Sequence, residues 1–197
     1  LGPAFARPLQ GRAELLPPRP AAINIDGGSG EVKLALSSPP AADSTLGAWV
    51  YLRSGGAFSL TRLAVLSASN CGDSAELLIR ANSDDPTSPQ YLELARCGHF
   101  NGALSTSPVP LNTWAHVAVT VSSAQTVSYF INGLPAGTWD ATGLDLSLGI
   151  AVNLGDNSGL RHFDGMLDEV QIWTRALTPS EIQTQWDRSL TGTEPGL

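Results

Sequence analysis

This sequence predicts an all-β domain, a sandwich or barrel, closed by one short C-terminal helix, and three observations carry that prediction. From Ala21 onward, short runs rich in Val, Ile, Leu and aromatic residues are separated by clusters of Gly, Ser, Asn, Asp and Pro, the punctuation of an all-β chain. Several of those runs alternate with the two-residue period of a strand. No helical stripe competes until the segment TPSE, which begins at Thr178.

The elements follow in chain order. Residues 1–20 carry five prolines and no sustained periodicity, so they are expected to form an extended linker or arm ahead of a domain spanning 21–190, with 191–197 as a tail. The segments INI, VKLAL and RLAVLSA read as strands. LGAWVYLRS places Ala48, Val50 and Leu52 on one face and Trp49 and Tyr51 on the other. Neither face is polar, which predicts a central strand in a two-sheet stack.

AELLIR and YLELAR read as strands bracketed by Cys71 and Cys97. If the two pair as a hairpin, both thiols fall near its open end, where a disulfide is geometrically reasonable; two buried free thiols are the alternative. A bridge would point to an oxidising, extracellular compartment. WAHVAVTV alternates, with Ala115, Val117, Val119 and Val121 on one face and Trp114, His116, Ala118 and Thr120 on the other. VSYFING follows, with Val127, Tyr129 and Ile131 sharing a face and Asn132-Gly133 making a tight turn, so the two form a hairpin. GIAVNLG and EVQIW are further strands. Thr178 as N-cap, Pro179 at the first helical position and Glu181 at the third form a capping box, which predicts a helix from Pro179 to about Trp186.

Composition narrows the function. The 197 residues suit one domain, and 42% hydrophobic against 15% charged residues supplies a core. A formal net charge of -7, with basic residues scattered singly, lacks the footprint that nucleic acid or an acidic membrane requires. No apolar run approaches the roughly 20 residues that span a bilayer, so no membrane insertion is expected. The N-terminus lacks a secretory-signal pattern, although such a signal can lie upstream.

Asp164, Asp168 and Glu169 stand at the mouth of the final strand. Asp168 shares two-residue parity with Val170 and Ile172, so if these face the core, Asp168 is aimed inward as well. An inward carboxylate is costly unless paired or bound to a cation, and Ca²⁺ would satisfy it. Asp26, followed by Gly27 and Gly28, whose freedom lets carbonyls turn toward a metal, is the other half of this candidate site. The alternative is that Asp168 accepts backbone N–H groups at a strand end and Asp26 caps a turn.

Catalytic readings are weaker. No strand carries the two carboxyls of a glycosidase: Glu76 and Glu93 stand alone, and Asp84-Asp85 lie in a turn-like stretch. His99, His116 and His162 are dispersed, none at zinc-ligand spacing. Nucleophile-elbow, P-loop and dinucleotide motifs are missing. A sugar site could be built from loop residues, with Trp139 stacking beside Asp140 and with Asn153, Asp156, Asn157 and His162 holding hydroxyls. Turn-forming roles are the alternative for each.

Three stretches, WAHVAVT, YFING and GMLDEVQIWTRALTPSEI, together resemble a laminin-G-like domain of the concanavalin A-like lectin/glucanase superfamily, over about Ala21 to Arg188. The resemblance implies a jelly-roll sandwich of two antiparallel sheets, extracellular (secreted or at a cell surface), usually one module of a multidomain protein. It also implies a structural calcium on the convex side, held here by Asp168 and Asp26. DGGSGEV departs from the acidic run common after Asp-Gly, which turns attention to Glu31. The glucanases' paired acids are missing, which argues against hydrolysis. The reading is therefore a non-catalytic extracellular module that recognises carbohydrate. The alternative is a structural or adhesive module contacting an extracellular protein, with a divergent glycoside hydrolase behind both.

Overall fold

The computed structural model describes residues 22–27, 32–39, 43–55, 75–85, 87–96, 102–146, 151–155, 162–186, 188 and 193, together with the backbone of strand segments 5–9, 12–16 and 63–68. Strands are numbered along the chain. β1 (Phe5–Leu9) and β2 (Arg12–Leu16) pair antiparallel, so the lead-in expected as an extended linker or arm contains a small hairpin.

The remaining strands form two six-stranded antiparallel sheets. The first runs β12 (Leu134–Asp140), β11 (Thr126–Ile131), β10 (Trp114–Val121), β5 (Ser44–Leu52), β14 (Asp164–Trp173), β3 (Ile23–Asp26). The second runs β4 (Val32–Ala35), β13 (Ala151–Leu154), β6 (Leu63–Ala68), β7 (Ala75–Ala81), β8 (Gln90–Arg96), β9 (Leu104–Val109). β12 lies against β9 at one side of the stack, and Ile25 of β3 lies against Gly155, just past β13, at the other.

The core between the sheets follows the alternation of the sequence. Ala48, Val50 and Leu52 of β5, Ala115, Val117, Val119 and Val121 of β10, and Val127, Tyr129 and Ile131 of β11 meet Leu77, Ile79, Leu92, Leu94 and Val152 of the second sheet. Tyr129 crosses the whole core. Its hydroxyl donates to Ala103 O at 2.7 Å and accepts from Leu94 N at 3.1 Å, and its burial pushes the phenol well above its ordinary pKa. The bond at Leu94 falls one residue past the point where β8 and β9 lose register, between Tyr91 and Glu93. Ser105 Oγ serves the same break by accepting from Leu92 N at 3.0 Å.

The outer face of the first sheet is apolar because a helix covers it. α1 (Pro179–Gln185) begins with the capping box that the sequence predicts: Thr178 Oγ1 accepts from Glu181 N at 3.3 Å and Glu181 Oε2 accepts from Thr178 N at 2.8 Å. Ile182 packs on Ala118, Phe130 and Trp173, and Trp186 joins Trp49 and Trp114. The Asn132-Gly133 turn makes room for that indole. Both residues have positive φ, 51° and 74°, as a type I′ turn requires, and a Cβ on Gly133 would overlap Trp186. The same turn sends the chain back as β12. Trp139 therefore sits in an edge strand, half-buried against the core, and not in the loop that the sequence reading gave it.

Candidate functional site

β14 differs from its expected alternation. Asp168 pairs with Trp49, but the next pair is Gln171 with Gly47, so β14 carries one extra residue against β5. Glu169 supplies it, at φ 46°, left-handed and uncommon for a residue other than Gly or Asn. The bulge reverses parity. Leu167 faces the core before it, and Val170 and Ile172 pack against the core after it. Asp168 thus shares the outer face with Met166, opposite Trp49, and its inward aim is corrected. Its Oδ1 accepts from Glu169 N at 2.8 Å, which stabilises the bulge.

The proposed partnership of Asp26 with Asp168 also fails on register. Asp26 pairs with Asp164, four residues before Asp168 on β14. At about 3.3 Å per residue, that puts Asp168 roughly 13 Å further along the strand, too far for one ion with bonds of about 2.3–2.6 Å. Gly28, the third member, lies outside the described residues, among which no group of three or more His, Cys, Asp and Glu could hold a metal.

The oxygens at that rim instead converge on Arg53. Its Nη1 donates to Ile25 O at 3.0 Å and to Asp164 Oδ1 at 3.3 Å, its Nη2 donates to Asn24 Oδ1, and its backbone N donates to Asp164 O at 2.9 Å. Arg175, two residues past β14, pairs with Glu181 at 2.7 Å.

The sugar-site residues divide between the two sides of the sandwich. Trp139 is on β12, beside β9, whereas Asn153 is on β13, four strand spacings (about 19 Å) from β9. Asp140 is a turn residue: its Oδ1 accepts from Thr142 N at 3.0 Å and from Thr142 Oγ1 at 2.6 Å. Asn153 and His162 flank one loop, whose ends are closed by Phe163 N donating to Gly155 O at 2.7 Å. Asp156 and Asn157 lie outside the described residues, as do Cys71 and Cys97 with their proposed bridge.

Asn153 is 2% exposed, and among the described residues no group donates a hydrogen bond to its Oδ1. It lies on the outer face of the second sheet, alternating with core-facing Val152 and Leu154. Register aligns it with Lys33 of β4 on one side and, through Ser67 of β6, with Glu76 of β7 on the other. The face continues into an ion pair that sequence reading missed. Arg80 Nε and Nη2 donate to Glu93 Oε2 and Oε1 at 2.5 and 3.3 Å, and both side chains are at most 5% exposed. Glu93 pairs with Leu78, and Glu76 with Ala95, so the two glutamates are diagonal neighbours on one face. They do not stand alone, and the antiparallel register of the β7–β8 hairpin was the signal that could have joined them. Gly102 packs directly on Glu93, where a Cβ would press on the Glu93 Cγ.

The family model Laminin_G_3, described as the concanavalin A-like lectin/glucanases superfamily, matches residues 26–183. No curated protein matches the sequence. Among solved structures, a heptameric SAP-like pentraxin from Limulus polyphemus is similar with a TM-score of 0.63 at 18% identity, over 83% of this chain and 80% of that one. Domain 4 of AbnA, an extracellular arabinanase of Geobacillus stearothermophilus, solved with arabinotriose, is similar with a TM-score of 0.61 at 18% identity, over 84% and 76%. The CBM40 of a Ruminococcus gnavus sialidase, solved with α2,3-sialyllactose, is similar with a TM-score of 0.61 at 15% identity, over 84% and 96%. These likenesses are of fold.

Proposed function

Because the chain belongs to the concanavalin A-like lectin/glucanases superfamily, we propose that it is a non-catalytic carbohydrate-binding module whose ligand face is the outer side of the second sheet around Asn153. The observation that carries this reading is the buried Asn153 carbonyl oxygen, which has no hydrogen-bond partner among the described residues. Leaving such a group unpaired costs about 1–3 kcal/mol, and a sugar hydroxyl is a donor suited to it; because Asn153 is itself buried, the ligand must reach it from the rim at exposed Lys33. His162, half-buried, and Lys33, exposed, would contribute from the rim of that face. Trp139, on the far side, is left out of this site.

Binding without hydrolysis fits the acids. Glu93 is committed to Arg80 in a buried bidentate pair, so it is poorly placed to act as a nucleophile or general acid. Two of the similar solved structures, the arabinanase domain and the sialidase module, hold oligosaccharides, which supports a glycan as the ligand class. An extracellular setting, a parent of several domains and the Cys71–Cys97 bridge belong to the same proposal. Calcium held jointly by Asp26 and Asp168 does not, because the register separates them.

The test is native affinity electrophoresis against a panel of soluble polysaccharides, run beside an assay for new reducing ends. Retardation on at least one polysaccharide without release of ends is expected. Release of reducing ends, or free migration on the whole panel, would contradict the reading.

A further inference from the structure

The rim where β3 meets β14 is built like a cation site. Asn24 Oδ1, Ile25 O and Asp164 Oδ1 are an amide, a backbone carbonyl and a carboxylate, the three oxygen types that a hard divalent ion selects. Asp26 lies directly across from Asp164, adding a second carboxylate to the row. All three oxygens accept from one guanidinium, which approaches from the end of β5.

We propose that Arg53 is the resident cation of this rim, and that its guanidinium ties the first strand of the sandwich to the last in place of a metal ion. The geometry suits a planar fork. One nitrogen spans Ile25 O on β3 and Asp164 Oδ1 on β14, the other reaches Asn24, and the Arg53 backbone N fixes the same Asp164 through its carbonyl. Three strands that are far apart in sequence meet at this one side chain. Its charge also answers Asp164, which register places across from Asp26. The consequence is a domain whose stability owes nothing to calcium at this rim.

Thermal melts of the 197-residue chain in EDTA, in millimolar Ca²⁺ and in millimolar Mg²⁺ test this, with Ca²⁺ titrated calorimetrically into the same protein. The same Tm in all three conditions and no binding heat are expected. Arg53→Ala should lower Tm by about 3–6 °C. Arg53→Lys, which keeps the charge but loses the fork, should recover only part of that fall and serves as the readout if the alanine variant does not fold. Asp164→Asn should cost less in the Arg53→Ala background than in the wild type, because the two act together. A Ca²⁺-dependent rise in the wild-type Tm would overturn the proposal, as would an Arg53 variant that melts with the wild type.

Discussion

Removing Glu93 should destabilise this protein far more than removing an ordinary surface carboxylate. Its side chain is fully buried and Arg80's is 5% exposed, so both charges have given up water for each other through bonds of 2.5 and 3.3 Å. In Glu93→Ala the guanidinium keeps its bond to Ala81 O at 3.1 Å but loses its carboxylate. Breaking a buried pair from one side costs about 3–5 kcal/mol. For a chain of this size, about 2–4 °C of Tm goes with each kcal/mol, so a fall of roughly 6–20 °C is expected. Arg80→Met with Glu93→Leu removes both charges together and should regain most of that loss. Differential scanning calorimetry of the three proteins measures it. A Glu93→Ala variant melting within about 2 °C of wild type would refute the reasoning, since it would mean that the charge never depended on its partner.

Two further predictions concern the C-terminal cover of the first sheet. Arg175, and then Thr178, pull the Glu181 carboxyl down from 4.5 to about 2, so its contribution is present above pH 4.5 and is lost as pH falls toward 2. The Tm difference between wild type and Glu181→Gln should hold steady above that window and shrink within it; a difference independent of pH there would exclude this role. Gly133→Ala places a β-carbon at φ 74° and against Trp186, so it should cost about 2 kcal/mol or more and shift tryptophan emission to longer wavelength, whereas unchanged emission and Tm would show that the indole does not depend on the turn.

What could be read from the sequence was local. The faces of β10 and β11, the Asn132-Gly133 turn and the Thr178 capping box each depend on residues a few positions apart, and each appears in the structure as predicted. β14 defeated the same method at one residue. Period-two counting assumes an unbroken strand, and a left-handed Glu169 has no signature of the kind that Gly provides. The candidate site failed where it needed non-local register. Asp26 meets Asp164 because β3 pairs with the start of β14, and Arg53 joins them from a third strand. Asn153 stood out in the sequence only as an amide in a turn-rich stretch; its burial, and an oxygen with no partner among the described residues, depend on the place of β13 inside the sheet.

Glycan binding on the face around Asn153 can be measured by probing one broad glycan array with the wild type and with Asn153→Ala. Saturable wild-type binding to a restricted set of glycans, and loss of that signal in the variant, are expected. The variant's Tm should stay within a few degrees of wild type, because the substitution also removes a buried unpaired oxygen. A blank array for the wild type, or undiminished binding by a folded Asn153→Ala, would contradict binding on this face.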